Sequence, residues 1–418
     1  MKTTVSEFEV MAPVGSRESL AAAIQAGADS VYFGIGQLNM RSHSANPFTI
    51  DDLKEIAATC QEHGMKSYLT VNTIIYGEDI DAMHQIIDAA AEAHITAVIA
   101  SDVAVMVYCR QRGVEVHLST QLNISNIEAL KFYAQFADVA VLARELNMDQ
   151  VAEIYRQIVE QNVCGPSGQL VRIEMFCHGA LCMAISGKCY MSLQNTGRSA
   201  NRGQCMQLCR RSYTVTDNET GTQLEIDNKY IMSPKDLKTI RFIDRMMKAG
   251  VRVFKIEGRA RGPEYVYNVV RCYKRPFRPW PMAPLPMLAK TSGTSAWLPC
   301  STAAFGMATI QTLGEWNKNY GSNATERKVY VGRGVKYFSK LGVAEFTCEA
   351  HEFSVGDRLL VTGPTTGVMY LTCDEIRVDL KPVQTAPKGT RVSLPVPTKY
   401  APATSCSFCR KLTRKSEV

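Results

Sequence analysis

The sequence predicts an α/β fold: a (β/α)8 TIM-like barrel with a Cys-rich insertion after strand seven, followed by a small antiparallel β-barrel. Three observations predict it. Short, continuously apolar runs rich in β-branched residues recur through the first two-thirds of the chain. Each alternates with a longer stretch of helical periodicity, as a parallel barrel requires. After about residue 328 this rhythm gives way to short alternating strands separated by turns. A doubly wound open sheet is the competing arrangement for the first part.

The first run, "FEVMAPV", precedes the helical stretch "SRESLAAAIQAG", with Ser16 placed as N-cap and Gly27 as stop. "SVYFGIG" leads to "TIDDLKEIAATCQEHG", "KSYLTVN" to "DIDAMHQIIDAAAEA", and "AVIAS" to "DVAVMVYCRQRG". "VEVHLSTQ" pairs with "NIEALKFYAQF", and "VAVLAR" with "NMDQVAEIYRQIVEQ". "VRIEMFC" is the seventh strand. The eighth is "VRVFKIEG", preceded by the helix "SPKDLKTIRFIDRMMKAG". The barrel domain is thus expected over 1–285, with the insertion at about 177–232. A Pro-rich passage, "RPFRPWPMAPLPM", opens an irregular linker over 286–327. The small β-barrel follows over 328–400, and 401–418 reads as a polar basic tail carrying Cys406 and Cys409.

Residues just after barrel strands line the catalytic mouth. This places Arg144, His178, Gly179 and Glu257 to Arg259 there, and makes the oversized insertion a functional loop. Positive charge concentrates in the same region. The whole chain has 47 basic against 40 acidic residues, but no acidic residue occurs from Cys177 to Thr216, where Lys188, Arg198, Arg202, Arg210 and Arg211 lie. No basic-then-apolar export pattern opens the sequence, and no apolar run reaches ~18 residues. The expectation is a cytoplasmic protein with no membrane span, whose 14 cysteines stay unpaired.

Cys182, Cys189, Cys205 and Cys209 are spaced C-x6-C-x15-C-x3-C. Structural zinc sites favour tight C-x2-C knuckles, which neither pair has. An iron–sulfur cluster tolerates wider spacing, and nearby Lys and Arg offset its negative charge. Zinc, a reactive thiol and plain packing stay open on spacing alone. Cys177 is a substitute ligand unless it faces the core. Cys60, Cys109, Cys348 and Cys373 sit singly in helices or strands and read as buried apolar side chains. The chain has no G-x-S-x-G elbow, H-E-x-x-H, P-loop or G-x-G-x-x-G. In "FKIEGRARGPEY", Arg259 and Arg261 at the barrel mouth suit a carboxylate or phosphate.

"EMFCHGALCMAISGKCYMS", Glu174 to Ser192, resembles the signature of the collagenase-like peptidase family: E-x-F-x-H-G-A-x-C, then S-G-x-C and a serine. "MAPVGSRESLAAAIQAGADSVYFG", "NRGQCMQLCR" and "KIEGRARGPEYV" extend the resemblance over nearly the whole chain. It implies an oxygen-independent hydroxylation protein, whose branches act on the wobble uridine of tRNA, a 23S rRNA cytidine or a ubiquinone precursor. The layout here is most similar to the tRNA branch. The resemblance implies a [4Fe–4S] cluster on Cys182, Cys189, Cys205 and Cys209, with prephenate as cosubstrate. Arg259 and Arg261, with Arg144, are expected to hold that anion. His178 and Glu257 are the catalytic candidates. Arg198, Arg202, Arg210 and Arg211 are expected on tRNA phosphates. The alternatives are a peptidase, or a related hydroxylase acting on the 23S rRNA cytidine or a ubiquinone precursor.

Overall fold

The eight apolar runs close into a ring. The structure, a computed structural model, describes residues 7–40, 48–211, 213–226, 234–277, 305–306, 326–396 and 404–411. Strands β1 (Glu9–Pro13), β2 (Ser30–Phe33), β3 (Lys66–Val71), β4 (Ala97–Ala100), β5 (Glu115–Leu118), β6 (Val139–Val141) and β7 (Arg172–Gly179) are parallel neighbours in chain order. Within the insertion, β8 (Tyr213–Thr216) and β9 (Gln223–Ile226) form a separate hairpin. β10 (Asp236–Lys238) lies antiparallel to the end of β7. β11 (Val251–Ile256), the eighth barrel strand, pairs in parallel with both β7 and β1, which completes the barrel.

Helices α1 (Arg17–Ala26), α2 (Asp52–Glu62), α3 (Ile80–Glu92), α4 (Val103–Gln111), α5 (Ile127–Ala134) and α6 (Met148–Glu160) each follow a barrel strand. α7 (Met191–Thr196) belongs to the insertion, and α8 (Ile243–Lys248) and α9 (Pro263–Lys274) flank β11. Local chemistry sets their ends. The Ser16 hydroxyl accepts from the Ser19 amide at 3.2 Å, and Gly27 leaves α1 with φ of 77°. Asn147 and Gln150 form a reciprocal capping box on α6.

Outward strand residues such as Val10, Val31, Leu69, Val98, Leu118, Ile173 and Phe254 pack under the helices in one large core. Each such side chain contributes roughly 1.5–3 kcal/mol by burial. Met11, Tyr32, Tyr68, Ile99, Val139 and Val253 fill the inside of the ring. Charged groups share that interior, since Glu9, Glu174 and Lys255 are all buried.

Three expectations are corrected. "SPKDLKTIRFIDRMMKAG" is α-helical only over α8. Its start forms β10, because Leu237 and Lys238 pair with Gly179 and His178, while Thr239 donates to the Cys177 carbonyl at 2.9 Å. Over its described residues, from 326 on, the second region is an eight-stranded antiparallel sheet with its own core of Val331, Phe346, Cys348, Leu359, Val361 and Cys406. No pairing among its described strands joins the two edges into a barrel. The supposed tail is in part a strand: Ser405–Lys411 runs between Arg358–Gly363 and Glu326–Phe338, with Cys406 buried. The linker at 286–327 lies outside the described residues, apart from 305–306 and its last two positions. Among the described residues no helix is long and apolar enough to cross a membrane.

The sheet docks on the barrel through α1 and α9. Gln25 donates its amide to the Val368 carbonyl (3.0 Å) and accepts from the Val368 amide (2.9 Å). Lys328 pairs with Glu264 at 2.9 Å.

Candidate functional site

The thirteen described cysteines are all free thiols. Cys182 and Cys205 are exposed, while Cys189 and Cys209 are half-buried. Burial pushes the Cys209 thiol up; Arg210 opposes this, and the charges of Cys182, Cys205 and Cys189 add to it. The other three predicted ligands are thus near enough to Cys209 to raise its thiol. Among the described residues no group of three or more His, Cys, Asp or Glu side chains is arranged to hold a metal ion. The donor chemistry of the four thiols, soft sulfur in a segment without carboxylates, fits an iron–sulfur cluster or zinc. Cys177 faces the core instead. It is fully buried, and its carbonyl accepts from Thr239 and from the Tyr273 hydroxyl at 2.6 Å. Burial raises the thiols of Cys60 and Cys109 to about 12, and those of Cys348 and Cys373 to about 11, as expected for packing residues.

A clasp to the β3–α3 loop holds the second half of the cysteine loop. Arg202 grips Asp79 through both guanidinium nitrogens, with Nη2 to Oδ1 at 3.0 Å, and also donates to the Ile74 carbonyl at 2.9 Å. Its guanidinium lies 4.3 Å from the centre of the Tyr76 ring. The Ile74 amide donates to the Asn201 carbonyl at 3.2 Å. Arg202 beside it draws the Asp79 carboxyl below its usual range. Arg210 reaches the Leu181 carbonyl at 3.4 Å and so ties the two halves of the loop. Of the four arginines expected on RNA, Arg202 and Arg210 therefore brace the loop, while Arg198 and Arg211 are exposed.

Beside this loop, at the barrel mouth, lies a small cleft, partly open to solvent, lined by Gly15, Gly34, Asn39, Phe48, Cys205 and Arg259 among others. Arg259 is buried; its Nη1 donates to Thr70 Oγ1 at 2.6 Å and lies 3.5 Å from Asn39 Oδ1. The Asn39 amide nitrogen donates to the Ile35 and Gly36 carbonyls, which turns its oxygen toward Arg259. Gly15 permits this packing: a Cβ there would sit 1.9 Å from the Arg259 carbonyl oxygen. The sequence picked out Arg259 and Cys205. Asn39 and Thr70 were missed, because each is an ordinary polar residue until the fold brings it to the guanidinium.

The remaining candidates fall around the mouth. The Arg144 guanidinium stacks on Phe176, 4.2 Å from the ring centre. Arg261 lies 3.4 Å from Asp236, a carboxyl whose pKa burial raises, so Arg261 is committed within the protein. Glu257 accepts from the Tyr32 hydroxyl (3.2 Å) and the Gly258 amide (2.9 Å) at the end of β11. His178, expected at the mouth, is instead buried against Tyr265 and Tyr273, with ring centres 5.9 and 5.8 Å away. Burial, aided by Lys238 and Arg261, lowers its pKa to about 3. A ring so enclosed and neutral is not placed to exchange protons with a ligand in the cleft.

Fold and site together describe a (β/α)8-barrel protein with a four-cysteine insertion loop beside its mouth and a second, antiparallel β-sheet region. The chain belongs to peptidase family U32, whose model matches residues 15–280. It is 60% identical over 411 residues to a protein named collagenase from Porphyromonas gingivalis strain W83, covering 96% of this chain and 97% of that one. It is 36% identical over 274 residues to tRNA hydroxylation protein P1 of Bacillus subtilis, covering 64% of this chain and 62% of the relative. It is also 34% identical over 277 residues to the 23S rRNA 5-hydroxycytidine C2501 synthase of Escherichia coli, covering 66% of this chain and 40% of the relative. The relatives thus carry names of two kinds, one for collagen cleavage and one for RNA hydroxylation.

Proposed function

We propose that this chain is a tRNA uridine hydroxylase that carries a [4Fe–4S] cluster and forms 5-hydroxyuridine at the wobble position with prephenate as cosubstrate. The observation that carries the reading is that Cys205 and Arg259 line the same cleft. A soft-metal ligand and a buried guanidinium would thereby reach one bound molecule. Cys182, Cys189, Cys205 and Cys209 would hold the cluster, which supplies one-electron redox chemistry when bound. Arg259, braced by Thr70 and Asn39, would take a carboxylate of the dicarboxylate in a planar two-point contact. Glu257, fixed by Tyr32 and Gly258, is the group at the mouth that would hold a proton.

The collagenase name of the 60% identical relative favours a second reading, a peptidase. Among the described residues lining the cleft there is one thiol, Cys205, but no histidine or carboxylate to activate it or a water. Mass spectrometry of tRNA nucleosides from a strain lacking the gene separates the two readings, with gelatin cleavage by the purified protein measured in parallel. Loss of 5-hydroxyuridine, restored by the wild-type gene, supports the hydroxylase. Unchanged nucleosides together with gelatin cleavage overturn it.

A further inference from the structure

We propose that the exposed apolar rim of the cysteine loop is a stacking platform for an unpaired stretch of RNA, with Tyr190 as the side chain on which a base stacks. The inference rests on the RNA reading above and deepens it. Tyr190 is 68% exposed, Ile185 52% and Met183 38%. On the neighbouring β3–α3 loop, Tyr76 is 50% exposed and Ile74 41%. The two loops touch at Asn201. A Cβ on Gly187 would lie 3.3 Å from Asn201 Oδ1, and the Asn201 carbonyl accepts from the Ile74 amide at 3.2 Å. Large apolar side chains grouped in this way at a protein surface mark an interaction site.

Charge decides what covers the rim. The cysteine loop, which carries Tyr190, has no acidic residue from Cys177 to Thr216, and Lys188, Arg198 and Arg211 are exposed on it; on the β3–α3 loop and the first turn of α3, Glu78 and Asp81 are exposed, while Asp79 is held by Arg202. Its occupant is therefore a polyanion with flat apolar faces. Unpaired RNA has both properties, since every base has a face to stack and every linkage a negative charge. A duplex hides its base faces and fits the charge but not the aromatic rim. Tyr190 follows Cys189 in the chain and starts α7, so a base stacked on it is held at the cysteine loop.

The test measures binding of a labelled oligouridine of about ten nucleotides, and of a blunt RNA duplex of similar length, to full-length protein at fixed salt. Wild type should prefer the single strand. Tyr190→Ala should weaken single-strand binding about tenfold, and Tyr190→Trp should retain it. The salt slope should stay unchanged in both, whereas Arg198→Ala with Arg211→Ala should flatten it. If Tyr190→Ala disturbs the loop, judged by circular dichroism and iron content, Tyr190→Phe and Tyr190→Leu replace it, with Phe expected to bind more tightly. Equal affinity of Tyr190→Ala and wild type, equal affinity of Phe and Leu variants, or equal binding of duplex and single strand overturns the platform alone. A wild-type protein that binds neither RNA but retains gelatin overturns the RNA reading itself.

Discussion

Lys255 Nζ lies 2.7 Å from Glu174 Oε1 inside the barrel, with both side chains buried. The ammonium also faces the Tyr32 and Phe176 rings at 4.7 and 5.5 Å, and the second Glu174 oxygen lies 3.8 Å from His117 Nδ1. A buried pair of this kind adds little over an apolar filling, but removing one partner strands the other charge. Lys255→Met or Glu174→Leu alone should each cost about 3–5 kcal/mol, and the double variant should recover much of that loss. Urea denaturation of the three variants checks it; additive losses would contradict the pairing.

Arg202 and Asp79 are 123 positions apart in sequence, yet they fasten the cysteine loop to the barrel. Asp79→Ala should lower the cost of opening the loop by about 1–2 kcal/mol, hence roughly 5- to 30-fold. In metal-free protein, alkylation of the half-buried Cys209 should accelerate accordingly, while the exposed Cys205 changes little and Cys348 in the separate sheet core stays slow. Peptide mapping by mass spectrometry reads all these rates in one sample.

His178 gives the protein a defined response to acid. The unfolded imidazole titrates near 6.5 and the folded one near 3, because burial keeps it neutral. Between those values the unfolded chain binds more protons, so stability from this group is present above pH 6.5 and lost as pH falls toward 3. The Glu9 carboxyl, drawn down to about 2 by Lys66 and Arg172 against the opposing effect of burial, adds its own loss only below about 4.5. His178→Phe should therefore flatten the stability profile between pH 6.5 and 4.5 and leave the steeper fall below it.

Arg259 is the most exposed part of the functional reading. Arg259→Ala should abolish 5-hydroxyuridine formation and leave the iron content unchanged, since Arg259 is not among the four expected cluster ligands. Losing the partner of a buried charge costs about 2–5 kcal/mol of binding. Arg259→Lys should rescue only in part, because an ammonium cannot reproduce the planar contact. Full activity of Arg259→Ala at low prephenate would move the anion site to Arg144.

The barrel was legible because its strands are buried on both sides and read as unbroken apolar runs, from "FEVMAPV" to "VRVFKIEG". The strand Ser405–Lys411 was not, since its polar, basic sequence is ordered by the two strands beside it and not by its own pattern. His178 was misplaced because a strand's last residue points toward the mouth only if the strand ends there, and β10 continues the pairing. Glu174 and Lys255 did leave a signal: each is a charge in the middle of an apolar strand, which demands a buried partner. The Arg202–Asp79 clasp and the Arg259–Thr70–Asn39 group left none, as each joins segments far apart in the chain.

The central claim is that Cys182, Cys189, Cys205 and Cys209 form one cluster site at the barrel mouth. Metal analysis of anaerobically purified protein, wild type beside single Cys→Ser variants, tests it most directly. The account predicts a brown protein with about four irons per chain. Iron should be lost on Cys182→Ser, Cys189→Ser, Cys205→Ser or Cys209→Ser, and kept on Cys348→Ser. Stoichiometric zinc without iron, or iron that survives all four substitutions, would contradict it.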